Sequence, residues 1–465
     1  MMTRLTHNLV LSCALLLAAV VIVNLPALAD HLDGDLDPTF DGDGKVLVSP
    51  IEQPDVSSQG PDYTYDLAQQ ADGKLVAAGY SVALGSGGYV QQPIVARFNE
   101  NGSLDDSFGV QGIVTASVTA SSLLNTVVVQ SDGKLLAGGT AQTSTGNDLA
   151  LARYTSTGAP DLTFGGDGWI TVTVGVSAPA NDMLLQPDGK IVVVGWVLTS
   201  NAPGAPISAL VARFNPDGSP DTGFDGDGIV MMSLGGVNDQ LRDVALQPDG
   251  KVVAVGFSKP GPKTDLAILR LNTDGSPDMS FDSDGRVTTQ FGMDSDDVGN
   301  GLALQADGKI VVAGMTRPYP GGLPEYFVTA RYLSDGSLDN TFDGDGYILA
   351  QVTPGAYNFA TDVAFQRDGR IVVLGSTGNL SLLNFGLVRY NTDGSIDNSF
   401  GSNGMVSTDF AQSSPTQDNA QALLIQTDGK IVAAGSGSNA PQVMVLARYY
   451  GPQFNNRVYL PLLRR

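Results

Sequence analysis

Arg389-Tyr390-Asn391-Thr392-Asp393-Gly394-Ser395-Ile396-Asp397-Asn398-Ser399-Phe400-Gly401-Ser402-Asn403-Gly404 decides the fold, because its frame recurs along the whole chain. Six Arg precede a Phe by eleven residues: Arg97/Phe108, Arg153/Phe164, Arg213/Phe224, Arg270/Phe281, Arg331/Phe342 and Arg389/Phe400. The seventh Phe, Phe40, stands near the start of the chain, and the seventh Arg, Arg448, near its end. One unit is therefore divided between the two ends, as a closed ring requires. An Asp stands three residues before each Phe, from Asp37 and Asp105 to Asp397, and a Gly four residues after it, from Gly44 to Gly404.

Working outward, Asp-Gly-Lys or Asp-Gly-Arg recurs at Asp72, Asp132, Asp188, Asp249, Asp307, Asp368 and Asp428, at spacings of 56 to 61 residues. Apolar runs flank each turn, as in Ala245–Gly256. Gly accepts the positive φ of a tight turn and Asp bonds its own backbone, so each site reads as a β-hairpin. The unit around Asp249 predicts strands over Asp243–Gln247, Lys251–Gly256, Ala267–Leu271 and Arg286–Gln290. The second is apolar on both faces, which marks burial on both sides. No segment carries a helical apolar stripe. Four antiparallel strands at this period describe a propeller blade. The expected fold is all-β: a seven-bladed β-propeller over residues 30–451. The C-terminal three strands and a fourth strand from residues 36–50 pair to close it.

The pattern Arg-Tyr/Phe-x-x-Asp-Gly-Ser-x-Asp-x-x-Phe-Gly alternates with Gln-x-Asp-Gly-Lys-Ile-Val-Val-Ala-Gly across residues 36–451. It resembles the delta-60 repeat family of secreted bacterial proteins. That resemblance implies a propeller and no general activity. The strand order is similar to that of NHL-type blades, which implies that the Asp-Gly-Lys hairpin joins the two inner strands and that the fourth strand is outermost.

Composition narrows the function classes. The chain has 465 residues and a formal charge of −23. Such a surface repels phosphate backbones and anionic lipid heads, so nucleic acid and membrane partners are not expected. Leu9–Val23 is apolar and Ala27-Leu28-Ala29 is a small-residue cleavage pattern, so residues 1–29 read as a secretory signal peptide. The expected location is secreted, extracellular or at a bacterial cell surface, as a monomer. Cleavage removes Cys13, the single cysteine, and leaves His31 as the single histidine. Disulfide, thiolate and histidine-based chemistry are thereby disfavoured. No Gly-x-Ser-x-Gly elbow, zinc set or phosphate loop appears. Residues 452–465, apolar then basic, read as a sorting or processing segment or as a tail packed on the last blade.

The repeated residues read as framework. Each Arg and the Asp eight residues later form a clamp, and each Phe anchors neighbouring blades. In the closing unit Arg448 must reach Asp37, as Arg97 reaches Asp105 beside Phe108. The paired carboxylates Asp41/Asp43, Asp225/Asp227 and Asp343/Asp345 start like a calcium loop but lack its third ligand and downstream Glu. Asp in a Gly-rich turn otherwise caps the backbone. Function belongs where the units differ. The loops joining strand four to strand one, and strand two to strand three, vary in length and emerge on one face. They hold Tyr63, Tyr65, Tyr80, Tyr89, Trp196, Tyr319, Tyr326 and Tyr357. Rigid aromatic area with a polar tip suits recognition. Two readings follow: a binding module for a protein or glycan through this face, without a cofactor, or a lyase or hydrolase using carboxylates or a metal at the axis.

Overall fold

The computed structural model describes residues 31–49, 59–85, 88–115, 121–144, 146–292, 294–379, 381–410, 417–438 and 442–452. The predicted signal peptide and all but the first residue of the predicted tail lie outside them. Residues 32 onward form one unit. Its described residues hold 28 strands in seven four-stranded antiparallel sheets. Blade 4 is representative, with β14 (Gln240–Leu246), β15 (Val252–Ser258), β16 (Asp265–Leu271) and β17 (Arg286–Thr289) in sequential order. The buried run of β15 is central, as its double-sided apolarity predicts. The first strands of successive blades touch one another around the whole circle, the seventh meeting the first.

The core is divided among the blade junctions. Among the described residues, each of seven apolar clusters draws on two neighbouring blades. No blade buries its own faces, so the ring is the stable unit.

The last blade closes the ring. Its β26 (Asn419–Ile425), β27 (Ile431–Ser438) and β28 (Gln442–Tyr449) accept β1 (Lys45–Val48) as outer strand, in the register Lys45↔Ala447 to Val48↔Met444. The N-terminal segment supplies more than the strand expected of it. Elsewhere the turn after the third strand is continuous: Asn99 N–H bonds the Ser103 carbonyl, and Gly102 N–H bonds the Asn99 carbonyl. At the closure Tyr450 N–H bonds the Asp35 carbonyl at 2.9 Å, and Gly34 N–H bonds the Tyr450 carbonyl at 2.8 Å. Asp33-Gly34-Asp35 thus takes the place of Asp-Gly-Ser, and one turn is rebuilt from two chain ends.

A second regularity escapes the sequence. Each first strand carries a bulge, at Tyr65, Asn125, Asn181, Arg242, Asn300, Thr361 and Gln421. The extra residue drives a carbonyl against the second strand, opposite the repeated Gly. A Cβ on Gly256 would lie 1.9 Å from the Gln240 carbonyl oxygen. The seven glycines, from Gly79 to Gly435, are required by this close approach.

Candidate functional site

One face of the ring is built from the Asp-Gly-Lys hairpins and the Arg-to-Phe turns. Every Arg donates from Nε to its Asp at 2.6–2.7 Å, including Arg97 to Asp105 and Arg448 to Asp37. The pairs are not two-pronged clamps. A second guanidinium nitrogen works across the blade junction, Arg213 donating to the Thr273 carbonyl at 2.6 Å and Arg448 to that of Glu100, while the third bonds a hydroxyl of its own turn where one is present, as Arg448 does Thr39. Arg389 meets the N-terminal segment instead, donating to the Asp33 carboxylate at 2.9 Å. Each guanidinium also lies 4.5–4.6 Å from the centre of its Phe ring, as Arg448 does over Phe40 and Arg97 over Phe108.

Sequence reading missed the second cation on each Asp. Lys74 reaches Asp105 at 2.8 Å, Lys251 reaches Asp278 at 2.9 Å and Lys430 reaches Asp37 at 3.1 Å; Arg370 plays this part for Asp397 at 3.4 Å. The signal was the constant Lys or Arg of the hairpin, which turn chemistry alone does not require. Thr39, Ser107, Thr163, Ser280, Thr341 and Ser399 donate to the other carboxylate oxygen. The clamp carboxylates and their cations therefore satisfy one another.

The clamp predicts where stability is lost in acid. Burial by itself raises these carboxyls. Hydrogen bonds from Ser or Thr and from Lys, with the Arg charge, outweigh it and hold Asp37, Asp105, Asp161, Asp278 and Asp339 well below the usual range. A folded value below the unfolded one near 3.9 gives stability that is present above that value and lost as pH falls beneath it. Asp62 has the opposite sign. Fully buried in the first half of the first blade's inner strand, Gln59–Gln69, it is raised to about 6 by desolvation, against hydrogen bonds from Ser81 and Ser49. Its contribution is present below about 3.9 and lost as pH rises through 6. Urea midpoints should fall steeply below pH 4. Asp62→Asn should remove a decline of at most about 1.4 kcal/mol per pH unit between pH 4 and 6. Parallel pH profiles for the two proteins would refute the assignment.

Around the axis, the bulged side chains of blades 2 to 5 each tie their blade to the next. Asn125 donates to the Ala180 carbonyl at 2.8 Å, Asn181 to that of Leu241 at 2.6 Å and Asn300 to that of Ala360 at 2.6 Å. Arg242 bridges to the Asn300 side-chain oxygen at 2.6 Å. The carboxylates beside the bulges accept the next blade's backbone: Asp66 from Val127 at 2.8 Å, Asp243 from Leu302 at 2.6 Å, and Asp362 from Leu423 at 2.7 Å. These acids hold the ring together.

Of the eight aromatics expected in the variable loops, only Tyr319 lies outside a strand, and only some of the eight come together. Tyr63 and Tyr65 both stack on Tyr80, at ring-centre distances of 4.8 and 5.9 Å. Tyr80 is buried, while Tyr63 and Tyr65 are half-buried. Tyr89, on the same blade, is 70% exposed. Trp196, Tyr319, Tyr326 and Tyr357 are half-buried on blades 3, 5, 5 and 6, apart from this stack. Tyr319 lies 5.9 Å from the Lys263 ammonium.

The carboxylates that invited a calcium reading face backbone. Asp43 accepts from Lys45 N–H at 2.9 Å, Asp227 from Ile229 at 2.9 Å and Asp345 from Tyr347 at 3.2 Å. Asp41, Asp225 and Asp343 take φ of 51°, and each backbone N–H bonds a carbonyl of the next blade's turn. Among the described residues, no group of three or more His, Cys, Asp or Glu is placed to hold a metal ion.

Seven sheets around an axis, sealed by a strand from the opposite terminus, define a closed β-propeller with one framework face and one variable face. The chain belongs to the beta-propeller family described as a domain of unknown function, DUF5122, which it matches at residues 70–108, 130–164, 186–224, 247–281, 305–342, 366–400 and 426–449. No curated protein matches it. Among solved structures it is similar to a protein of unknown function from Dyadobacter fermentans, at 11% identity and a TM-score of 0.42, covering 88% of this chain and 98% of that one. A polysaccharide lyase, Uly1, matches at 8% identity and a TM-score of 0.47, covering 91% and 98%. The propeller domain of the Trilobed protease from Pyrococcus furiosus matches at 8% and 0.42, covering 86% and 99%. Likeness at this level carries no activity across.

Proposed function

We propose that this protein is a secreted or cell-surface binding module whose loop face holds a protein or glycan partner. The observation that carries the reading is the stack of Tyr63, Tyr65 and Tyr80, two of its rings half-exposed on the face that varies between units. Rigid aromatic area at low conformational cost is what recognition surfaces use. On the opposite face the clamp Arg, Lys and Asp are engaged with one another. The apolar run and cleavage pattern before Asp30, with the delta-60 resemblance, support export from a bacterial cell.

The test is a glycan array and an extracellular-protein capture using the full chain. Any partner found should bind Tyr63→Ser/Tyr65→Ser at least tenfold more weakly, since truncating an aromatic anchor of an interface costs on the order of 2 kcal/mol. It should bind Lys309→Ala, which loses the 2.9 Å tie to Asp339 on the opposite face, unchanged. A partner indifferent to the tyrosines and lost with Lys309 would overturn the reading.

A further inference from the structure

Beside the tyrosine stack, Gln91 of blade 1 and Ser121, Leu123, Thr140, Gln142 and Asn147 of blade 2 help to line a cleft of about 160 Å³. The cleft adjoins the stack, because Gln91 on its wall shares a hydrogen bond with the Tyr80 hydroxyl. No ionisable side chain lines it. Thr140 keeps it open. The residue after the repeated Gly is Tyr80, Trp196, Phe257 and Met315 in blades 1, 3, 4 and 5. In blades 6 and 7 it is Ser376 and Ser436, which accept N–H groups of the following blade. Blade 2 places a small hydroxyl side chain where four others place bulk.

We propose that this cleft is a subsite for one neutral polyhydroxylated ring, a hexopyranose or its N-acetyl derivative. The proposal rests on the loop face being the binding surface and narrows what it binds. Amide and hydroxyl side chains both donate and accept, as sugar hydroxyls do. An ionic ligand would lose hydration with no opposite charge to meet it. The formal charge of −23 disfavours anions further. The volume lies below the ~300–1,000 Å³ typical of drug-sized ligands, which suits one ring rather than a peptide. Leu123 offers apolar surface to the C–H face of a sugar.

The experiment titrates the full chain with glucose, galactose, mannose and N-acetylglucosamine, with glucuronate as charged comparator, following ligand NMR saturation transfer and tyrosine fluorescence. At least one neutral sugar should saturate, with glucuronate at least tenfold weaker. Thr140→Trp copies the residue blade 3 already carries, and should weaken binding at least tenfold with an unchanged urea midpoint. Gln142→Ala should weaken it without filling the cleft. Binding untouched by both variants, or glucuronate binding equally well, overturns the site. If no sugar saturates while a protein partner still depends on Tyr63 and Tyr65, the sugar proposal fails and the binding reading stands. If neither class binds through the tyrosines, both fail.

Discussion

Arg448→Ala is expected to lower unfolding free energy by about 3–5 kcal/mol and to loosen the ring at its seam. Arg448 is 4% exposed and Asp37 fully buried. The substitution removes the 2.7 Å Nε bond to Asp37, the 2.9 Å bond to the Thr39 hydroxyl, the bond to the Glu100 carbonyl and the cation over Phe40. Asp37 is left with Lys430, 3.1 Å away, as its cation. Burying a carboxylate with one partner removed is costly because its lost hydration is no longer offset. Arg213→Ala deletes the same Nε bond, 2.6 Å to Asp221, in a blade whose strands are covalently continuous. Both variants should unfold at lower urea, but only Arg448→Ala should speed amide exchange at Val46 and Val48 in β1. Equal protection of β1 in the two would mean that the seam does not depend on this tie.

Phe224→Ala is the second large effect, at about 3–5 kcal/mol. Phe224 is fully buried in the cluster shared by blades 3 and 4. Its ring packs close to Gly275 of the following blade and lies 4.5 Å from the Arg213 guanidinium. Removing it opens a cavity at a junction and unstacks the cation that ties the same junction. The urea midpoint should drop with an unchanged slope, because the surface exposed on unfolding is nearly the same. A loss under about 1 kcal/mol would place the ring's strength elsewhere.

The two faces differ in how readable they are. Framework contacts repeat, so one frame read seven times averages away local noise. Arg97, Asp105 and Phe108 were legible together because all three lie in one turn of one unit. The lysines were visible but not interpretable, since their reach to Asp depends on two hairpins sharing a face. On the loop face nothing repeats. Eight aromatics look alike in the sequence, yet Tyr63, Tyr65 and Tyr80 meet while Trp196 and Tyr357 stay apart.

Residue periodicity alone determined the strand count per unit, the seven units and the need for Phe40 and Arg448 to belong to one blade. Those properties live within a single unit, where side-chain alternation and turn chemistry act over a few residues. Tertiary structure decided which carbonyl presses on Gly256, how Asp33-Gly34 completes a turn begun at Tyr450, and that Thr140 borders an open cleft. Each of these depends on where neighbouring strands, blades or chain ends come to lie, and that placement is set by strand register and by the packing of the whole ring.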